Sequence, residues 1–128
     1  MNYKVPGDVE KFILDRIDSV AQMEALLLLH GNPGQEWSSE ALAKRLYISE
    51  TQTAEILARL WTEGFLRPNA NGAPLYRYEP NSLELQQMVD RVVEAYSRHL
   101  VPVTNLIHSK AKARVQEFAD AFRLRRDR

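Results

Sequence analysis

The side chains capable of covalent or acid–base chemistry are few and scattered in this 128-residue chain. There is no cysteine, which excludes disulfides, thiolate nucleophiles and cysteine zinc sites together and is compatible with a reducing compartment. His30, His99 and His108 lie far apart without metal-ligand spacing and read as satisfied or surface histidines. No nucleophile elbow, glycine-rich phosphate loop or paired-carboxylate motif occurs, so the expectation is a protein without catalysis, cofactor or metal. What the chain does concentrate is hydrogen-bonding capacity at helical spacing. After Ser49-Glu50-Thr51-Gln52, the polar residues Gln52, Glu55, Arg59 and Thr62 fall on one side of a helix, with Thr53, Leu57, Leu60 and Trp61 on the other.

Glycine and proline punctuate the elements that must hold this polar stripe, at Pro6-Gly7, Gly31 to Gly34, Gly64, Pro68 to Pro74, Pro80 and Pro102. Val9, Phe12, Ile13 and Ile17 predict a short amphipathic helix over 8–17. Ser19-Val20-Ala21-Gln22 has the form of a capping box and opens a helix that ends at Gly31, with Val20, Met23, Leu26, Leu27 and His30 as its inward face. Trp37 reads as a one-residue strand contact. Ser38 or Ser39 then caps a short helix through Leu46, with Leu42 and Leu46 inward. The turn Tyr47-Ile48-Ser49 leads into the helix of the polar stripe, which starts with a second capping-box match and stops at Gly64.

Phe65-Leu66-Arg67 and Leu75-Tyr76-Arg77-Tyr78 predict an antiparallel hairpin around the tip Asn69-Ala70-Asn71-Gly72, with Pro68 and Pro74 near strand ends. Its alternating tyrosines suit either base stacking or packing on one face. Asn81-Ser82-Leu83-Glu84 opens a long helix whose stripe is Leu85, Met88, Val89, Val92, Val93, Tyr96 and Leu100, and Pro102 kinks or restarts it. A last helix from Ser109 to about Leu124 is expected to bury Val115, Phe118, Ala119 and Phe122.

Helix, helix, tight turn, helix and hairpin, in that order, is a winged helix-turn-helix. The segment Leu42-Ala43-Lys44-Arg45-Leu46-Tyr47-Ile48-Ser49, followed by Thr53, Leu57, Leu60, Gly64, Phe65 and Leu66, resembles the reader domain of bacterial winged-helix transcriptional regulators of the MarR-like kind. The resemblance covers about residues 19–80. It implies a mainly α fold with a small β-wing and a sequence-specific DNA-binding regulator. Three segments follow: an N-terminal helix (1–18), the winged helix-turn-helix (19–80) and C-terminal helices for dimerisation (81–128). By this resemblance Ser49, Thr51, Gln52, Glu55 and Arg59 face bases or backbone, Gln52 being suited to adenine and Arg59 to guanine or phosphate. Arg67, Asn69, Asn71 and Arg77 of the wing touch phosphates or the minor groove. Phe12, Ile13, Met88, Val92, Tyr96, Phe118 and Phe122 are the expected dimer face, making the partners double-stranded DNA and a second copy of the chain.

Composition fits such a protein and adds one conflict. With 45% hydrophobic and 27% charged residues, a chain of this size forms one globular domain and buries roughly two thirds of its unfolded surface. The longest apolar run, Ala25 to Leu29, is far too short to span a membrane, and the N-terminus lacks a signal-peptide pattern, so a cytoplasmic protein is expected. Net charge is zero, but residues 34–80 carry 5 basic and 6 acidic side chains, while 98–128 carry 8 and 3. A reader without basic excess, with Glu50, Glu55 and Glu63 on its helix, leaves an alternative: a winged-helix adaptor that binds another protein without touching DNA. The basic C-terminal end is either a solvated helix face, a source of attraction to flanking phosphates, or a contact for the acidic segment 1–33 of a partner subunit.

Overall fold

The computed structural model describes residues 5–69 and 74–126. Among them the element order is α1 (Gly7–Arg16), α2 (Val20–Gly31), α3 (Ser39–Leu46), α4 (Glu50–Thr62), β1 (Leu66–Pro68), β2 (Tyr76–Tyr78), α5 (Leu83–Arg98) and α6 (Leu100–Arg126). This is the mainly α architecture with a two-stranded hairpin that the sequence predicts. The described residues of Met1–Val20 and Glu94–Arg128 form one compact unit, and those of Ala21–Val93 a second.

In the second unit, the two serine caps are formed. Ser38 Oγ accepts from the Ala41 amide at 3.1 Å, and Ser49 Oγ accepts from the Gln52 amide at 3.0 Å. Between them α3 closes on Tyr47, which is left-handed at φ 58°, ψ 40°. At the far end of α4, Gly64 takes φ 90°, and the Phe65 amide donates back to the Leu60 carbonyl at 3.0 Å. The positive φ requires glycine here, and a Cβ would lie 2.7 Å from Nδ2 of the exposed Asn81, whose side chain would have to move aside.

The hairpin pairs Leu66 with Tyr78, Arg67 with Arg77 and Pro68 with Tyr76. Pro68 is the last residue of its strand, as a residue without an amide proton requires. Trp37 extends the sheet by a single bridge, its amide donating to Tyr76 at 2.7 Å and its carbonyl accepting at 2.9 Å. Tyr76 and Tyr78 are both buried, so their alternation serves packing and not base stacking.

Several inward faces differ from expectation: on α3 Ala43 is buried and Leu46 only half-buried, and Leu100 is exposed. On α2 the buried residues are Gln22, Met23, Ala25, Leu26 and Leu29, whereas Val20, Leu27 and His30 are only half-buried. An apolar run such as 25–29 has nearly uniform hydrophobicity around the helix, so tertiary contacts and not periodicity choose its face. On α4, Ile56 is buried and Trp61 is 49% exposed, its ring tilted against Tyr76 at 6.0 Å. Thr53, Ile56, Leu57 and Leu60 complete the i, i+3, i+4, i+7 stripe, and Trp61 lies one step beyond its edge.

The second unit continues past Pro80 to Val93, beyond the expected boundary at 80. Ser82 Oγ caps α5 by accepting from the Leu85 amide at 3.1 Å, and Asp90 reaches His30 Nε2 at 2.7 Å. In the first unit α1 packs on α6, burying Val9, Ile13 and Ile17. Asp18 accepts from Lys110 Nζ at 2.8 Å and Arg114 at 3.2 Å.

Pro102 falls in the first turn of α6, where its missing amide proton costs no helical bond, so the helix restarts at Leu100 and runs unbroken to Arg126. The expected start at Ser109 is therefore nine residues late. Val115, Phe118 and Phe122 are exposed by 70, 74 and 56%, and Ala119 is exposed too, against the expectation that they would be buried. The reason is length: α6 spans roughly 40 Å and α1 roughly 15 Å at about 1.5 Å per residue, so α1 covers only part of it.

Candidate nucleic-acid interface

Four side chains of α4 are committed inward. Leu57 and Leu60 are fully buried and Ile56 nearly so, each worth roughly 1.5–3 kcal/mol. Thr53 is buried with its hydroxyl donating to the Ser49 carbonyl at 2.8 Å, so it is a satisfied core residue and contacts no ligand. With this stripe fixed, Thr51, Gln52, Glu55, Arg59 and Thr62 are all exposed, as is the capping Ser49. The structure thus displays the expected polar side chains of the helix to solvent together.

The hairpin carries the other expected contacts. Arg67 is exposed, Arg77 and Asn69 are half-buried, and Asn71 lies outside the described residues. Glu36, Arg67, Pro68, Asn69 and Arg77 frame a recess of about 270 Å³. Burial pushes the Tyr78 phenol well above its ordinary range, with the negative charge of Asp90 adding to the effect, so this ring stays neutral beneath the hairpin.

Electrostatics of the site were legible in the sequence only in part. Arg67 Nη1 donates to Glu79 Oε2 at 2.7 Å and Arg77 Nη2 to Glu79 Oε1 at 3.2 Å, so one carboxylate holds both wing guanidinium groups. Arg59 Nε donates to Glu63 at 3.2 Å, and Lys44 lies 3.4 Å from Glu40. Arg45 stands over the Trp37 ring, 5.8 Å from its centroid. Each of the five basic residues between 34 and 80 therefore has a partner inside the chain. The i, i+4 spacings 40/44 and 59/63 were readable as pairs. The Glu79 clamp depends on hairpin register and was not.

No protein-family model matches the chain, and no curated protein matches it. Solved structures do. The transcriptional regulator Tm0710 from Thermotoga maritima matches over 94% of this chain and 85% of its own, with TM-score 0.52 and 13% identity. Heme-free PefR, the heme sensor protein of Streptococcus agalactiae, matches over 88% and 85%, with TM-score 0.50 and 14% identity. The chain has a MarR-like winged-helix fold. The multiple antibiotic-resistance repressor MarR from Listeria monocytogenes also matches, over 94% and 82%, with TM-score 0.49 and 14% identity. At such identities the likeness is one of fold.

The expected dimer face of this winged-helix chain divides in two. Ile13, Val92 and Tyr96 are buried within their own chain, and Phe12 and Met88 are half-buried, because α1 and α5 pack inward with these side chains. Phe118 and Phe122 stay exposed on α6, joined by Val115. Of the basic C-terminal side chains, Lys110 and Arg114 are engaged with Asp18 of the same chain.

Proposed function

We propose that this chain is a homodimeric, cytoplasmic DNA-binding transcriptional regulator without catalysis of its own. The observation that carries the reading is the exposed polar face of α4: a capped helix whose Thr53, Ile56, Leu57 and Leu60 are buried and whose Thr51, Gln52, Glu55 and Arg59 are exposed to solvent. That is what a major groove requires of a helix it admits. Gln52 pairs with an adenine edge, Arg59 with guanine or phosphate, and Glu55 accepts from a cytosine amine. Arg67, Asn69 and Arg77 contact phosphate or the minor groove, with Ser49 holding the first turn of α4 in order. The transcriptional role of Tm0710 supports the same reading.

Dimerisation is supported by Val115, Phe118 and Phe122, spaced three and four residues apart on α6 and exposed in the single chain. Two-fold pairing doubles the contacts of a weak reader and sets the spacing of its half-sites.

The test is binding of selected and genomic duplexes by fluorescence anisotropy across a salt series. A preferred sequence should emerge, and Arg59→Ala should cost about 1–3 kcal/mol and relax preference at one position if Arg59 reads a base. The paired arginines favour a second reading, the winged-helix adaptor. Absence of binding above background at low salt, with the purified dimer folded, puts the adaptor ahead.

A further inference from the structure

Tyr47 occupies a position that neither its backbone nor its burial explains. It terminates α3 at φ 58°, ψ 40°, with its amide donating to the Ala43 carbonyl, and the Ile48 amide returns to the same carbonyl at 3.3 Å. This is a left-handed helix end, where glycine or asparagine sits without the Cβ crowding that other side chains suffer. Among the described non-glycine residues, Tyr47 is the one with positive φ. Its side chain recovers nothing from packing, because the residue is 94% exposed. A large aromatic that adopts an unfavourable backbone and buries no surface is explained by a contact outside the chain.

We infer that Tyr47 is a DNA-contacting residue whose phenolic hydroxyl donates to a backbone phosphate beside the groove that α4 enters. The inference rests on the DNA-binding reading and extends it to a residue outside the expected set. Position supports this partner: Tyr47 precedes the Ser49 cap by two residues and the exposed Thr51 and Gln52 by four and five. The charge of the reader supports it further. Lys44, Arg59, Arg67 and Arg77 each have a carboxylate partner, so a phosphate must compete for them, whereas a phenol offers a neutral donor with no carboxylate to displace. A ring with two side-chain torsions also loses little entropy when it settles on a sugar.

The test uses the full chain and the duplex selected above, with Tyr47→Gly and Tyr47→Phe. Tyr47→Gly relieves the left-handed strain, so its thermal midpoint should rise by roughly 3–6 °C while its DNA affinity falls about tenfold. Because the lost donor is neutral, the slope of log K against log salt should stay as in the wild type, unlike the slope of a phosphate-binding arginine variant. Tyr47→Phe keeps backbone and ring and should lose about threefold through the hydroxyl alone. Affinity of Tyr47→Gly within twofold of wild type overturns the contact. A lowered midpoint overturns the strain argument, and Tyr47→Phe then reads the contact by itself, unchanged affinity rejecting it. If the wild-type chain binds no duplex, the DNA-binding reading itself has failed and takes this inference with it.

Discussion

Glu79 determines how much positive charge the wing presents, because its two oxygens hold Arg67 at 2.7 Å and Arg77 at 3.2 Å. These pairs are partly exposed, and such pairs contribute about 0–1 kcal/mol to stability, so a phosphate can displace the carboxylate at modest cost. Glu79→Gln should leave the thermal midpoint nearly unchanged. It should tighten DNA binding at low salt and steepen the salt slope by up to about 2, one for each guanidinium released to a phosphate. An unchanged slope, measured by anisotropy between 50 and 200 mM salt (roughly the range in which phosphate contacts are resolved), would show that the wing does not reach the backbone. Arg67 and Arg77 were visible in the sequence as wing cations, but their shared carboxylate was not, since it depends on which residues the hairpin places side by side.

Both ends of α4 are set by single residues at the element scale, and both were legible beforehand. Ser49→Ala removes the acceptor for the Gln52 amide and should cost about 1 kcal/mol, with DNA affinity falling as the first turn frays. Gly64→Ala is the harsher change, because alanine is strained at φ 90° and its Cβ would meet Asn81 at 2.7 Å. It should cost about 1–3 kcal/mol, read as a lower midpoint in thermal or urea unfolding, and a neutral result would mean that the turn after α4 rearranges freely. The inward stripe of α4 was legible only in part. Leu57 and Leu60 follow from spacing, whereas exchanging Trp61 for Ile56 turns the inward face by roughly 35° about the helix axis, a small rotation that a large aromatic at the edge of a stripe conceals.

At the scale of the whole molecule, α6 leaves Val115, Phe118 and Phe122 exposed, the face proposed for a second copy. Sedimentation at micromolar concentration should give about twice the 14.8 kDa of one chain. Phe118→Asp should return the monomer mass without unfolding the chain, because this residue is 74% exposed and carries little of the single-chain core. A dimer that survives the change would place the interface elsewhere. Asp18→Asn separates the roles of the basic C-terminal segment. It releases Lys110 and Arg114 from their carboxylate, and an accompanying gain in DNA affinity at low salt would show that this segment lies near the duplex.

Sequence alone determined the parts of this protein that depend on local chemistry. Serine caps at Ser38 or Ser39 and at Ser49, glycine at the end of α4, prolines at strand and helix ends, and alternating tyrosines in the hairpin each specify a backbone conformation within a few residues. Their order was enough to identify the winged-helix fold. Tertiary structure decided what depends on distant neighbours: which face of the uniformly apolar α2 turns inward, where the compact unit ends along α5, which arginines are neutralised and by which carboxylates, and which apolar residues of α6 stay uncovered. Periodicity specifies that a helix has an apolar side but not whether its own chain supplies the cover. For α6 the answer is set by length, since the short α1 reaches only part of a helix of 27 residues and leaves Val115, Phe118 and Phe122 in solvent.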